Sequence, residues 1–240
     1  MISLTRREGR PLRIGHRGAA TLAPENTLAS FRAAVEIGVD LVEFDVVDAQ
    51  GGELVVAHSR ADIHDQTPTL HDALRFFAEV APGVGAHVDL KVSGRERDVV
   101  ESIREHGLEN RSFVSAFYLG SARAIREHGA DIRTGITFPR GTLGITENGR
   151  RAPIGRAGLR AVRRVTPFVV PLLLNRTRAQ AIALHHSLVT AASVGVAHAR
   201  GAPVVAWTVD DPNDLARVDA AGADAVVTND PRIFTSTLHT

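Results

Sequence analysis

Charged side chains alternate with apolar ones in the segment LVEFDVV (41–47). This period of two is that of a β-strand, and it places Glu43 and Asp45 on one face and Phe44 on the opposite, apolar face. The two carboxylates are then about 6.6 Å apart along the strand. Like charges this close in a partly dry site are unfavourable unless a positive charge lies between them.

The segment AHVDLKV (86–92) repeats the arrangement, with Asp89 and Lys91 on one face. One interpretation is structural: both segments are polar strand ends, and Lys91 neutralises a carboxylate. The other is a divalent cation held by the carboxylates of Glu43, Asp45 and Asp89. Because an all-oxygen ligand set suits Mg²⁺ or Ca²⁺, we expect one of these ions and not a thiolate or imidazole zinc site.

Two of the 11 histidines, His16 and His58, end predicted strands. With a pKa near neutrality, such a pair can act as general base and general acid. Arg17 and Lys91 supply fixed positive charge with donors suited to phosphate oxygens. Most other histidines are expected to be solvated in loops or on helices, and only His185 and His186 fall near an uncertain strand.

Short apolar runs alternate with helical segments along the chain. The predicted strands are 12–15, 41–47, 53–58, 86–92, 111–117, 131–138, 202–209 and 223–228, with an uncertain one near 182–188. The predicted helices are 27–38, 69–80, 95–106, 119–129 and 211–222. This alternation favours a parallel sheet with helical crossovers. The pattern is weak only over 139–190, which has a basic helical stretch.

The absence of a glycine-rich dinucleotide motif favours a (β/α)8 TIM barrel, an α/β fold, over a doubly wound sheet. No linker divides the chain, so we expect a single domain over 1–240. Active sites of such barrels lie at the carboxyl ends of the strands, where the candidate residues above would converge. Carboxylates, cations and two histidines at one barrel mouth point to hydrolysis of a phosphodiester.

Composition excludes several other classes of protein. The chain has 240 residues and no cysteine, so disulfides, thiol nucleophiles and thiolate metal sites are excluded. Its formal net charge of +1 gives no reason to expect a nucleic-acid or membrane-surface partner. No apolar run is long enough for a transmembrane segment or a signal peptide, and we expect a cytoplasmic protein. Composition does not indicate the oligomeric state.

The opening motifs resemble those of the glycerophosphodiester phosphodiesterase family. They are GHRG, APENTLASFRAAVEIGVDLVEFDVV and GGELVVAHS, in that order, and the closing segment WTVDDPNDLARVDAAGADAVVTNDP is similar to the family's last strands. The match covers both ends of the chain at the right separation. The resemblance implies a TIM barrel that hydrolyses glycerophosphodiesters in lipid and glycerol metabolism.

Residue by residue, the resemblance implies that His16 and His58 are the acid–base pair and that a divalent cation binds the carboxylates named above. It also implies that Arg17 and Lys91 contact phosphate and that Trp207 lines the pocket wall, although Trp207 is equally consistent with a barrel-core aromatic. Glu25 matches the family's PENT motif and either reaches the site or belongs only to the turn. Asn26 and Thr27 are expected to fix that loop and cap the following helix.

This sequence departs from the family pattern at three places. Asp89 replaces a common Glu, and Ser59 replaces the usual Asp after His58. A short loop, SRADIHDQTP, stands in place of the usual family insertion, and we expect it to leave the pocket mouth more open. The short loop and the DLK motif are also similar to related phospholipase D-type toxins, whereas the PENT and WTV segments favour the bacterial phosphodiesterases.

The sequence therefore predicts metal-dependent hydrolysis of glycerophosphodiesters to sn-glycerol 3-phosphate and an alcohol, and the open mouth could accommodate a bulkier alcohol. The alternatives are a lysophospholipase D-type phosphodiesterase that uses the same residues on a lysophospholipid, and a non-catalytic barrel that binds phosphorylated ligands. The last alternative predicts at least one broken catalytic position, and every such position is filled.

Overall fold

Eight parallel strands close into a barrel in the computed structural model, which describes residues 1–139 and 156–237. The strands are β1 (Leu12–Gly15), β2 (Leu41–Asp48), β3 (Leu54–Val56), β4 (Gly85–Leu90), β5 (Ser112–Ala116), β6 (Arg133–Phe138), β7 (Ala181–His185), β8 (Val204–Trp207) and β9 (Ala225–Thr228). The ring closes because β1 pairs in parallel with both β2 and β9. Only β3 lies outside it, as an antiparallel neighbour of β2. The predicted (β/α)8 TIM barrel is confirmed.

Helices on the outside of the barrel connect most of the strands. They are α1 (Leu28–Ile37), α2 (Leu70–Arg75), α3 (Glu96–Glu105), α4 (Leu119–His128), α5 (Arg156–Thr177), α6 (Ala191–His198) and α7 (Pro212–Ala220). Local sequence sets their limits: α1 begins after Thr27, whose side chain forms a capping box with Ser30, and ends at Gly38 in the left-handed region. Among the described residues, no helix has the length and apolar character needed to span a bilayer.

The weakly patterned segment contains one α-helix and one strand where the structure describes it, and a further helix, α6, follows directly after it. The uncertain strand near 182–188 is β7, which ends at His185 and is followed by a 3₁₀ turn, and the basic stretch is α5. The predictions lacked α6 because its small side chains give no apolar stripe. Its start signal is present in the sequence, since Thr190 forms a capping box with Ser193. Residues 140–155 lie outside the described part of the chain.

An aromatic cluster fixes the first helices against the barrel. Phe31 of α1 packs against Phe44 of β2, with ring centroids 5.3 Å apart, and against Phe76 and Phe77 at 6.0 and 5.7 Å. A separate apolar group fills the barrel interior below the site, and Leu4 of the N-terminal segment belongs to it. The charged residues of β2 are thus supported by two apolar groups. One lies between the strand and the outer helices, and the other fills the barrel interior below the site.

Strand register places the candidate residues in rows across the barrel. Glu43 of β2 pairs with His87 of β4, and Asp45 pairs with Asp89. Asp89 pairs in turn with Ser115 of β5. Because alternate residues face inward, these positions form two polar layers at the carboxyl end of the barrel, above the apolar interior.

We expect Phe31→Ala to lower the free energy of unfolding by about 3–5 kcal/mol, because the cavity it leaves is lined by three rings that cannot all collapse. Urea unfolding followed by circular dichroism measures this value. Val80→Ala is the matched control, since Val80 is 50% exposed and its truncation should change stability by less than about 0.5 kcal/mol. Equal losses in the two variants would contradict this account of the cluster.

Candidate active site

The loop after β1 brings His16 and Arg17 over the carboxylates of β2. Arg17 adopts a left-handed backbone conformation (φ 51°), and its amide donates to Oε2 of Glu43 at 2.9 Å. Glycines permit this tight path: a Cβ on Gly15 would lie 2.4 Å from the carbonyl oxygen of Gly18, and Gly18 itself has φ 88°. The GHRG motif therefore fixes a backbone fold that ties the first loop to β2.

Three carboxylates meet at the barrel mouth, those of Glu43, Asp45 and Asp89. Each offers an oxygen within 4.8 Å of the others, and all three side chains are buried. Burial, with the neighbouring carboxylates, raises the pKa of Glu43 well above its ordinary value, and burial also raises the pKa of Asp89. The cluster is electrostatically strained and would bind additional positive charge.

Asp45 is the most heavily contacted member of the cluster. Oδ2 lies 2.9 Å from Nε of Arg17 and accepts from the amide of Asn26 at 3.0 Å, while Oδ1 lies 2.8 Å from Nζ of Lys91. Burial alone would raise the pKa of Asp45, but the charges of Lys91 and Arg17 hold it well below its ordinary value. Asp45 is therefore a carboxylate anion, and its partners come from four segments of the chain.

The donor set suits a hard divalent cation. All three candidate ligands are carboxylates, as Mg²⁺ or Ca²⁺ prefers. Lys91 also bonds Oδ2 of Asp89 at 2.6 Å, so part of the charge is already compensated, as the structural interpretation expects. The three carboxylates, when ionised, outnumber the cations Arg17 and Lys91, and Arg17 is also shared with Glu25, so the site keeps a net negative charge that would repel a phosphodiester. The residues therefore fit a bound divalent cation.

Asp89 is held from below by a chain of hydrogen bonds that the sequence did not reveal. Ser115 Oγ donates to Oδ1 of Asp89 at 2.6 Å, so it must accept from Nε2 of His87, 2.9 Å away. His87 thus carries its proton on Nε2, and its Nδ1 has no partner among the described residues. The sequence signal that could have found His87 is the alternation of the strand. His87 lies two residues before Asp89, so its side chain shares the inward face with Asp89 and Lys91.

His16 is oriented by the closing segment of the chain. Its Nδ1 lies 2.6 Å from Oδ1 of Asn229, and the Nδ2 of Asn229 donates to Asp210 at 2.7 Å. Since the amide oxygen only accepts, His16 carries a proton on Nδ1 and presents a lone pair on Nε2, 3.8 Å from Glu43. Burial, assisted by Arg17, lowers the pKa of His16, which favours this neutral form. Neither Asn229 nor Asp210 was among the predicted site residues.

His58 lies on the other side of the cluster. Its Nδ1 is 2.9 Å from Nη2 of Arg17 and 3.2 Å from Oδ2 of Asp45. A guanidinium only donates, so the closer contact makes Nδ1 an acceptor and leaves the ring proton on Nε2. The two histidines therefore differ: His16 presents a lone pair at Nε2, and His58 presents a proton there.

Arg17 joins His58 to the PENT turn. Its Nη1 donates to Oε1 of Glu25 at 2.8 Å, although the Glu25 side chain is 51% exposed. Glu25 thus reaches the site through Arg17. The attraction of Asp45, Glu43 and Glu25 outweighs the effect of burial and raises the pKa of Arg17 above its ordinary value, so Arg17 is a permanent cation.

A narrow cavity at the barrel mouth lies beside the carboxylate cluster and its positively charged partners. His16, Lys91, Ser115 and Trp207 are among the residues that line it. Its far wall is aromatic: Trp207 packs edge to face with Phe117 and with His185, at centroid distances of 5.8 and 5.3 Å. Trp207 thus forms part of the cavity wall and also packs against the apolar group of the barrel interior.

The cavity contains buried polar atoms without hydrogen-bond partners among the described residues. They include Oγ1 of Thr137, Nε1 of Trp207 and Nδ1 of His87. A hydroxyl, an N–H donor and a bare acceptor in one small cavity are costly unless a polar ligand or water binds them. The arrangement suits a small molecule with more than one hydroxyl.

A second, wider groove opens on the side of His58. It has a volume of about 300 Å³ and lies between the PENT turn and the short loop that follows β3. Glu25, Asp62 and His64 line it together with His58. Only residues 57–69 separate β3 from α2, and this short connection leaves the groove open.

Comparisons with known proteins agree with this arrangement. The model of the glycerophosphoryl diester phosphodiesterase family matches residues 16–73 and 63–233. A glycerophosphodiester phosphodiesterase of Caldanaerobacter subterraneus subsp. tengcongensis is 24% identical over 91% of this chain and 93% of its own.

Solved structures of similar proteins share the fold. A glycerophosphodiester phosphodiesterase from Parabacteroides distasonis superposes with a TM-score of 0.74 at 20% identity, covering 95% of this chain and 97% of that one. An Oleispira antarctica phosphodiesterase in complex with the product sn-glycerol-3-phosphate has a TM-score of 0.73 at 22% identity, covering 96% and 97%.

His87 should make stability depend on pH. Burial, with the charge of Lys91, lowers its pKa from 6.5 to about 3. Unfolding therefore takes up a proton below pH 6.5, and stability present at neutral pH is lost as pH falls through this window, by about 2 kcal/mol at pH 5. His87→Gln, which keeps a donor to Ser115, should show a shallower loss in urea unfolding between neutral pH and about pH 5.

The exposed His71 provides the control, since His71→Gln should keep the wild-type pH dependence. Glu43 and Asp89 contribute with the opposite sign in all three proteins, so the difference between variants isolates the imidazole. The same slope in His87→Gln and wild type would contradict this assignment.

Proposed function

Because the chain belongs to the glycerophosphoryl diester phosphodiesterase family, a family of enzymes, we propose that it hydrolyses small glycerophosphodiesters to sn-glycerol 3-phosphate and an alcohol. One observation carries this proposal: each of the two histidines contacts a different carboxylate of the buried cluster, His16 at Glu43 and His58 at Asp45. An acid, a base and a candidate cation site are thereby brought to one barrel mouth.

The position of the ring proton in each histidine supports a division of roles between them. His16 presents the Nε2 lone pair and lines the mouth cavity, so it is the general base that takes the proton of the attacking hydroxyl. That hydroxyl belongs either to a water, which gives sn-glycerol 3-phosphate directly, or to the substrate's own glycerol. In the second case the alcohol leaves from a cyclic phosphate, which a water molecule must then open to give sn-glycerol 3-phosphate. His58 presents a proton on Nε2 beside the open groove, so it is the general acid that protonates the departing alkoxide.

Glu43, Asp45 and Asp89 would hold the divalent cation, Mg²⁺ or Ca²⁺. When bound, such an ion stabilises negative charge on phosphoryl oxygens and orients the substrate. Lys91 borders the cavity and supplies a fixed ammonium to the same oxygens. Arg17 contributes positive charge while its guanidinium orients His58.

The mouth cavity supports a substrate with an unesterified glycerol. Thr137, Trp207 and His87 offer polar atoms that match the donors and acceptors of two vicinal hydroxyls. The cavity is narrow, with a volume of about 30 Å³, which favours a small polar group over an acyl chain. The alcohol would then lie in the wider groove beside His58. These features favour glycerophosphodiesters over the lysophospholipid alternative.

Removal of either histidine should abolish most turnover. His16→Ala and His58→Ala are each expected to lower kcat/KM for glycerophosphocholine by about 10²–10⁴-fold, because each supplies one proton transfer. Release of sn-glycerol 3-phosphate with Mg²⁺ or Ca²⁺ present measures the effect. His71→Ala, at an exposed histidine on α2, should retain wild-type activity. Undiminished turnover in both variants would overturn the mechanism, and binding without any turnover in the wild type would favour a non-catalytic barrel.

Thr137→Val should discriminate between substrates. The isosteric change removes the buried hydroxyl, and we expect kcat/KM for glycerophosphocholine to fall about tenfold. Activity on bis(p-nitrophenyl) phosphate, a diester without glycerol, should not change. The wild type should turn over glycerophosphocholine faster than lysophosphatidylcholine. Faster turnover of the lysophospholipid, together with no effect of Thr137→Val, would favour the lysophospholipase D alternative.

A further inference from the structure

Positive charge is concentrated in one part of the chain. The sequence between Glu147 and Asp210 contains nine arginines and no carboxylate, although the formal net charge of the whole chain is only +1. The net charge near zero gives no reason to expect a membrane-surface partner, but it is an average over the chain and includes a strongly basic segment. Helix α5 lies within it and carries arginines along its length, including Arg160, Arg163, Arg164 and Arg176.

The outward face of α5 also carries three of the seven large hydrophobic side chains that are exposed among the described residues. Phe168 is 79% exposed, Val165 53% and Leu172 47%. At 100° per residue, these three side chains lie within about 60° of one another around the helix. We call them the α5 stripe. On the opposite side Thr166 and Val170 are fully buried, so the stripe points directly away from the barrel.

Arginines flank the α5 stripe on both sides. Arg160 and Arg164 are exposed along one edge, and Arg176 is exposed along the other. The adjacent α6 has no acidic residue that could compensate them. An apolar strip with cationic borders is the pattern of a helix that lies in the interface of a bilayer.

The N-terminal part of α5 lies at the same end of the barrel as the active-site mouth. Nε of Arg163 donates to the carbonyl oxygen of Ser187 at 2.5 Å, and Ser187 is the second residue after the carboxyl end of β7. The helix begins one to two turns before Arg163, so Arg160 and Arg164 are near the rim. A surface bound to this face would therefore lie beside the active-site entrance.

We propose that the outward face of α5 binds the surface of an anionic phospholipid bilayer. The α5 stripe would enter the interfacial region while the flanking arginines contact acidic headgroups. A second copy of the chain fits less well, because a two-fold interface on this face would oppose two arginine-rich helices. A nucleic acid would stack a base on Phe168 but would leave the exposed Val165 and Leu172 without apolar partners. The proposal is independent of the proposed enzymatic activity.

The test is sedimentation of the full chain with vesicles of equimolar phosphatidylglycerol and phosphatidylcholine, compared with vesicles of phosphatidylcholine alone. Binding to the anionic vesicles is expected at about 0.15 M salt, with a large loss at about 1 M salt. The double variant Phe168→Ser/Leu172→Ser should bind at least about tenfold more weakly, since it loses the buried apolar area. Arg160→Glu/Arg164→Glu should also lose binding.

Val80→Ser is the matched control, because Val80 is 50% exposed on another side of the barrel and should leave vesicle binding unchanged. Turnover of soluble glycerophosphocholine should be the same in all variants, which shows that they are folded. The proposal would be overturned if the wild type does not bind the anionic vesicles. It would also be overturned if Phe168→Ser/Leu172→Ser binds them as strongly as the wild type. A wild-type dimer that this double variant dissociates, without vesicle binding, would assign the face to self-association and also overturn it.

Discussion

The site depends on one buried anion, the carboxylate of Asp45. It is fully inaccessible to solvent and is contacted by Arg17, Lys91, Asn26 and His58. These partners come from the loop after β1, the end of β4, the PENT turn and the end of β3. Taking a charge out of water costs several kcal/mol unless it is paired, so the barrel forms its mouth only when all these segments converge. The same contacts of Asp45 therefore hold the barrel mouth together and arrange the residues of the site.

The barrel makes this arrangement possible through its register. In-line pairing of β2, β4 and β5 places Asp45, Asp89 and Ser115 in one row, and the apolar interior below excludes water. The charges then interact in a low dielectric, which favours a bound cation. The closing segment contributes from the other side, because Asp210 and Asn229 fix the ring of His16.

Much of this could be predicted from the sequence, because strand alternation is local. The inward faces of β2 and β4 followed from a period of two, and the order of strands and helices followed from apolar runs and caps. The roles of Ser115, His87 and Asn229 depend on which strands become neighbours, and a single sequence carries no local signal for that. The α6 helix was missed because its small residues show no amphipathic period. The charge asymmetry around α5 was visible in the sequence, but only the structure shows that its apolar residues face outward.

The central claim is that the buried carboxylate cluster supports phosphodiester hydrolysis with a divalent cation. Its most direct test is the release of sn-glycerol 3-phosphate from glycerophosphocholine before and after treatment with EDTA, followed by addition of Mg²⁺ or Ca²⁺. The account predicts that chelation abolishes release and that one of these ions restores it. Full turnover in the presence of EDTA would contradict it, as would the absence of release with either ion.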